Sequence, residues 1–219
     1  MIGNVHFHDF IHAITSALDA KDSFTTEHSR NVADITCALC RLLGIEDYND
    51  IHIAAHLHNL GNIGIKDQIL QKPGALTGTE FVEIQRHSKI GARIIADIAP
   101  LKGVALMVRH HHERFDGAGY PNGLAGGDIP RGSRIIAVAD ALDAMTSMRP
   151  YRRPLTFDAA LEELEDHSGT QFDPAVVTSA LDKRDQLRAM VIPAHVEESA
   201  THRIVEHAAI MHSRKNPMG

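Results

Sequence analysis

The chain has 219 residues, 43% of them hydrophobic, with a formal net charge of −6 and a pI near 6.2. This length fits one large domain, or one domain with an appendage, and the apolar content is enough for a real core. The negative balance excludes the broad basic field that duplex nucleic acid requires, so phosphate recognition must rest on a few arginines or on bound cations.

No apolar run approaches membrane-spanning length; the stretch 101–108 (LKGVALMV) is far too short. The opening MIGNVHFHDF has no basic-then-apolar layout of a signal peptide, which leaves a cytoplasmic location and no membrane association as the expectation. Cys37 and Cys40 form a single CALC pair, which excludes a four-cysteine zinc site and reads as two small buried residues one helical turn apart. The unusual count is the 16 histidines, which are spread along the chain rather than gathered in a tag.

Taken in order, the periodicity predicts helices throughout. Residues 6–20 carry an apolar stripe, residues 26–43 a second one closed by Gly44, and residues 47–60 a third helix that stops at Gly61. A loop with one short helical turn follows. Thr77 to Glu80 then fits a capping box that opens a long helix to about Ala96. Pro100 precedes a helix that reaches His112. The six-glycine stretch 115–132 (FDGAGYPNGLAGGDIPRG) interleaves aromatic and aliphatic residues, which marks an ordered functional loop. Helices are predicted at 133–148, apolar on most sides and therefore central, and at 156–167 and 174–183. An amphipathic tail spans 194–213 and packs on the domain or on a second copy. The fold class is all-α: an N-terminal helix over 1–22, a main domain over 23–183 and a C-terminal tail over 184–219.

Polar groups interrupt these apolar helices at His28, at His58 with Asn59, at His87, at the run His110-His111-His112, and at Asp140 with Asp143. Each group lies about one helix and one connection from the next, so a bundle can bring them to a common interior point. Imidazoles suit zinc, iron, manganese or nickel, and a carboxylate adds charge balance. A buried carboxylate is costly unless paired or bound to a cation. Asp140 therefore reads as a metal ligand, and Asp143 either as a second site group or as a bridge to an arginine. Arg149 and Arg152 in RPYR match phosphate oxygens, with a solvated charge cluster as the competing reading.

The segments HHERFDGAGYPNGL, KPGALT, RIIAVADALDAM, SMRPYR and FDP resemble the HD-GYP family over about residues 20–180. The resemblance implies an HD-domain helical bundle with a GYP loop and extra C-terminal helices. It implies two divalent metal ions, iron or manganese first, with zinc, nickel or magnesium as alternatives. Their ligands would be His28, His58, Asn59, His87, His111, His112 and Asp140. It further implies hydrolysis of cyclic di-GMP, or a related cyclic dinucleotide, to pGpG or GMP by a hydroxide held between the metals. Gly119, Tyr120 and Pro121, with Asp143, Arg149 and Arg152, fall where the family holds the nucleotide or its phosphates.

The chain departs from that pattern at three positions. The family's HD pair is His58-Asn59 here, its following lysine is Asn62, and the glutamate that accompanies a third metal is Phe24. An asparagine offers one neutral carbonyl oxygen and cannot bridge two cations as a carboxylate does. The expectation is a site with weakened hydrolysis and occupancy reduced toward a single ion. The alternative is a catalytically inactive module that binds a cyclic dinucleotide, or a protein partner through the GYP loop. His52 and His56 share a helix face with Asn59. They either lean toward the site, His56 replacing part of the missing ligand field, or pack against a neighbouring helix. His110 is expected to face outward, and the tail points to a homodimer.

Overall fold

The computed structural model describes residues 7–21, 27–148 and 153–191. Ten α-helices follow one another among the described residues: α1 (Phe7–Lys21), α2 (His28–Leu42), α3 (Asn49–Leu57), α4 (Asp67–Leu70), α5 (Gly78–Ala96), α6 (Lys102–His110), α7 (Arg131–Thr146), α8 (Phe157–Asp166), α9 (Pro174–Asp182) and α10 (Arg184–Val191). No strand occurs among them, and the all-α expectation is met. Arg149, Arg152, Phe24 and the tail 194–213 lie outside the described residues.

Local chemistry explains most boundaries. Helix α2 ends where Gly44 takes φ +67°; its N–H and that of Ile45 bond back to the Arg41 and Cys40 carbonyls, a Schellman closure. Helix α5 opens with the expected capping box: Thr77 Oγ1 accepts from the Glu80 N–H at 3.3 Å, and Glu80 Oε2 accepts from the Thr77 N–H at 2.7 Å. Asp173 caps α9, accepting from the Ala175 N–H at 2.9 Å, and its other oxygen receives Arg134 of α7 at 2.5 Å. That pair pins α9 to the middle of the bundle.

Helix α7 is central, as its pattern implied, with Ile135, Ile136, Val138, Ala139 and Leu142 all shielded from solvent. It packs on α2, α3, α6, α8 and α9, while α5 lies against α6. One core runs through the whole assembly and includes Ile11 and Leu18 of α1 and Leu187 of α10. Apolar packing is thus continuous across both boundaries expected at residues 22 and 184. Helix α10 is an element that periodicity did not identify. It starts immediately after Lys183, with no glycine or proline to mark the break.

The third predicted helix is shorter than expected. Helix α3 stops at Leu57, and the chain continues through a 3₁₀ turn over Leu60–Gly64. Gly61 does not end a helix by adopting a left-handed conformation. It is required because a Cβ there would lie 1.8 Å from the His87 carbonyl oxygen. The turn and α5 touch backbone to backbone, which fixes the segment after His58 against the segment that carries His87.

Candidate metal centre

His58 and Asn59 occupy the bend between α3 and the 3₁₀ turn; His87 lies mid-way along α5; His111 and His112 follow the end of α6; His28 opens α2; Asp140 lies on α7. The fold gathers the histidine and aspartate side chains, Asn59 apart, into two adjacent groups. One comprises His28, His58 and Asp140, the other His87, His111 and His112, and within each group the potential ligand atoms lie within 4.8 Å of one another. Rings of the two groups touch, with His58 and His111 centroids 5.3 Å apart.

The hydrogen bonds decide which nitrogens carry protons. His58, His87 and His111 each donate Nδ1–H to a carbonyl three residues back, at Ala55 (2.6 Å), Ile84 (2.7 Å) and Val108 (2.7 Å). A carbonyl only accepts, so each neutral ring has its proton on Nδ1 and a bare Nε2. Burial pushes His58 down to about 4, lowers His87, and holds His111 well below the usual range, so the rings are neutral. His112 falls to about 3 through burial and the neighbouring His87.

Two consequences follow. His58 Nε2 is buried without a hydrogen-bond partner among the described residues. The 3.3 Å approach of His87 Nε2 to His111 Nε2 sets two lone pairs against each other and is not a hydrogen bond. Both arrangements are costly for a metal-free pocket and are satisfied by a cation about 2.1 Å from each nitrogen. The donor set fits a divalent metal ion.

Asp140 and His28 complete the first group. His28 Nε2 stands 3.2 Å from Asp140 Oδ1, and His28 Nδ1–H donates to Asp143 Oδ2 at 2.6 Å. Asp143 also accepts from Asn31 at 3.0 Å and Ser147 at 2.9 Å. Asp143 was expected to hold nucleotide; it instead stands behind His28 and orients that ring, the usual carboxylate support of a metal-binding imidazole. Burial alone would raise the Asp140 carboxyl, but the hydrogen bond and charge of His28 hold it well below the carboxylate range.

His28 itself is raised to about 9; burial opposes its charge, and the bonds to Asp140 and Asp143 outweigh that. In the metal-free chain this ion pair contributes fully below pH 6.5 and is lost as pH climbs through 9. An ion at Nε2 must displace the proton. Manganese affinity is therefore expected to rise by up to about tenfold per pH unit and to level off above pH 9. Calorimetry in buffers of differing ionisation enthalpy at pH 7.5 should register about one proton released per first ion; no release would contradict the assignment.

The GYP loop is held by Glu113, which the sequence reading overlooked, and by His110, which it expected to face outward. Glu113 is buried and accepts from the backbone N–H groups of Asn122, Gly123 and Leu124 at 2.8, 3.0 and 3.2 Å. It also accepts from His110 Nδ1–H at 3.1 Å. His110 is consequently buried rather than outward-facing, because it serves the same carboxylate. The legible signal was an i,i+3 His–Glu pair directly ahead of a glycine-rich stretch rich in free N–H groups. Glu113→Ala should lower stability by about 2–3 kcal/mol, since the exposed ends of the loop rehydrate in part. A melting temperature lower by roughly 5–10 °C would register it.

Gly119 is fixed by space, as a Cβ would lie 2.2 Å from the Arg114 amide nitrogen. Tyr120 donates its N–H to the His112 carbonyl at 3.2 Å and lays its ring 4.9 Å from the His112 ring. The loop thus presents Tyr120 and Pro121 at the edge of the histidine array. His56 does not lean toward this centre; its ring packs with His12 and His52 on the α1 side of α3.

The fold agrees with what the chain resembles among known proteins. Residues 13–176 match the family model described as HD domain. The chain is 39% identical over 178 residues to the cyclic di-GMP phosphodiesterase response regulator RpfG of Xanthomonas campestris, covering 80% of this chain and 47% of that protein. It is 39% identical over 164 residues to the 3'3'-cGAMP-specific phosphodiesterase 3 of Vibrio cholerae, covering 74% of this chain and 36% of that protein. The chain therefore spans about half, or less, of the length of these curated relatives. Among solved structures, a cyclic GMP-AMP specific phosphodiesterase of V. cholerae, V-cGAP3, superposes with a TM-score of 0.65 at 18% identity. That superposition covers 88% of this chain and 52% of that one. No helix among the described residues is long and apolar enough to cross a membrane. With well over half of its length inside the family match and Gly119-Tyr120-Pro121 closing over the histidines, the chain belongs to the HD domain family, in its HD-GYP branch.

Proposed function

We propose that this chain is a metal-dependent phosphodiesterase of the HD-GYP type that cleaves a phosphodiester bond of cyclic di-GMP or a related cyclic dinucleotide, giving pGpG or GMP. The carrying observation is the pair of touching ligand groups, each of three residues, with bare imidazole nitrogens turned to one another. His28, His58 and Asp140 would hold one ion, and His87, His111 and His112 the other, iron or manganese before zinc, nickel or magnesium. Such ions polarise phosphoryl oxygens and make a nucleophile available near neutral pH.

The protein's own groups supply position and exclusion. Asp143 keeps the His28 ring aimed, and the Nδ1 bonds of His58, His87 and His111 fix their orientation. Gly119, Tyr120 and Pro121 form the wall against which a nucleotide would lie, and Arg149 and Arg152 would pair with its phosphates. With Asn59 and Asn62 in place of a carboxylate and a lysine, bound ions would lack one anionic ligand and the phosphate would lack one cation. Turnover is accordingly slow. The main domain would span residues 23–183, with the helix over 1–22 and the segment 184–219 as accessories.

The neutral Asn59 favours one second reading, a module that binds a cyclic dinucleotide or a signalling partner without cleaving anything. To separate them, protein purified without oxygen is supplied with iron(II) or manganese(II), and the loss of cyclic di-GMP and of 3'3'-cGAMP is followed. Slow metal-dependent hydrolysis that vanishes in His111→Ala supports the enzyme. Tight binding without hydrolysis supports the module, and neither binding nor hydrolysis removes both.

A further inference from the structure

A second histidine cluster lies on the face of α3 away from this centre. His52 and His56 stand one turn apart on α3, and His8 and His12 one turn apart on α1, so each pair shares a helix face. His8 Nε2 and His52 Nε2 are 3.0 Å apart, and one ligand atom each of His8, His52 and His56 falls within 4.8 Å of the others. Two nitrogens bound to one tetrahedral cation at about 2.05 Å stand roughly 3.3 Å apart, close to the spacing between His8 and His52. His56 is 2% exposed, and its Nδ1 has no hydrogen-bond partner among the described residues. An unpartnered polar atom at that depth signals a missing ligand.

From this geometry we infer that His8, His52 and His56 form a separate site for a divalent transition-metal ion of the zinc or nickel class. Three neutral imidazoles match that chemistry, and an open fourth position takes water. Cys37 Sγ lies 3.1 Å from His52 Nδ1. With His52 bound through Nε2, its Nδ1–H donates to this sulfur, which fixes the ring as outer partners of metal-binding histidines do. His56 and His58 are two positions apart, about 200° around a helix axis. The site is thus distinct from the array around His58, and it does not depend on the proposed phosphodiesterase activity. Its ion ties α1 to α3 across 44 residues of chain.

The test compares the whole protein with His8→Ala, His52→Ala and His12→Ala after loading with zinc and after loading with cobalt. Metal per chain is measured by elemental analysis, and the cobalt d–d spectrum reports the coordination. The inference expects His8→Ala and His52→Ala each to hold one ion fewer than the parent, with the tetrahedral cobalt band lost and His12→Ala unchanged. Chelation should lower the melting temperature of the parent by about 5–10 °C more than that of His8→Ala. His8 is exposed on α1, so its substitution leaves the core intact. Equal metal content in parent, His8→Ala and His52→Ala would overturn the site, and so would loss confined to His12→Ala. Because the readout is a difference of one ion between parent and variant, it stands whether the His58 centre holds two ions, one or none.

Discussion

For the phosphodiesterase proposed above, Asn59→Asp is expected to raise the hydrolysis of cyclic di-GMP by on the order of 100-fold, about 2.7 kcal/mol in the activation barrier. Asparagine and aspartate have nearly the same shape, and Asn59 is half-buried with φ −93° and ψ 7°, a conformation aspartate adopts readily. The substitution therefore changes charge and ligand type with little change in packing. A carboxylate at the bend beside His58 would remove one excess positive charge from a loaded centre. An added anionic group favours bound cations, so metal per chain should rise together with turnover.

Adding Asn62→Lys places a cation on the 3₁₀ turn, and in the proposed mechanism a charge directed at the phosphate would be worth a further several-fold or more. Metal content, kcat and KM are measured for the parent, the single variant and the double variant. An increase in kcat at unchanged KM marks a gain specific to the transition state. Unchanged metal content and unchanged kcat in both variants would mean that Asn59 does not limit this site.

Among the described glycines, Gly61→Ala should be the most damaging single-carbon addition. The new methyl would lie 1.8 Å from the His87 carbonyl oxygen and 2.7 Å from the Gly91 amide nitrogen, and neither backbone atom can rotate away. The 3₁₀ turn and α5 must separate by more than an ångström, at a cost of about 3 kcal/mol or more. The melting temperature should fall by roughly 6–12 °C. The metal centre should suffer more than the fold, because the same displacement moves His58 away from His87, and ligands at about 2.1 Å tolerate no such shift. Gly103→Ala is the control. Its Cβ meets only Asp50 Oδ2 at 3.4 Å, inside α6, so it should be neutral or slightly stabilising. A Gly61→Ala protein that melts with the parent and retains its metal would show that the two segments are not locked together.

The sequence by itself determined much of this protein, wherever the information is local. Apolar spacing placed most of the helices, Thr77 and Glu80 declared the start of α5, and Gly44 declared the end of α2. Histidines recurring one helix and one connection apart, with Asp140 on an apolar helix, pointed to a shared interior site. The departure at Asn59 and Asn62 was plain from the letters. These features depend on neighbours within about one turn, or on a residue type that has few other reasons to be buried.

Tertiary packing decided the rest. Gly61 looked like a helix stop, yet its role is defined by His87, far away in sequence. Asp143 was assigned to the substrate, yet it supports His28 across the gap between α7 and α2. His110 and Glu113 became the anchor of the GYP loop only once that loop folded back over them. His56 pointed to either of two faces, and packing against α1 chose the one that gathers a second set of imidazoles. In each case the deciding partner lies on another element, and periodicity along one helix says which side is buried but not what it will meet.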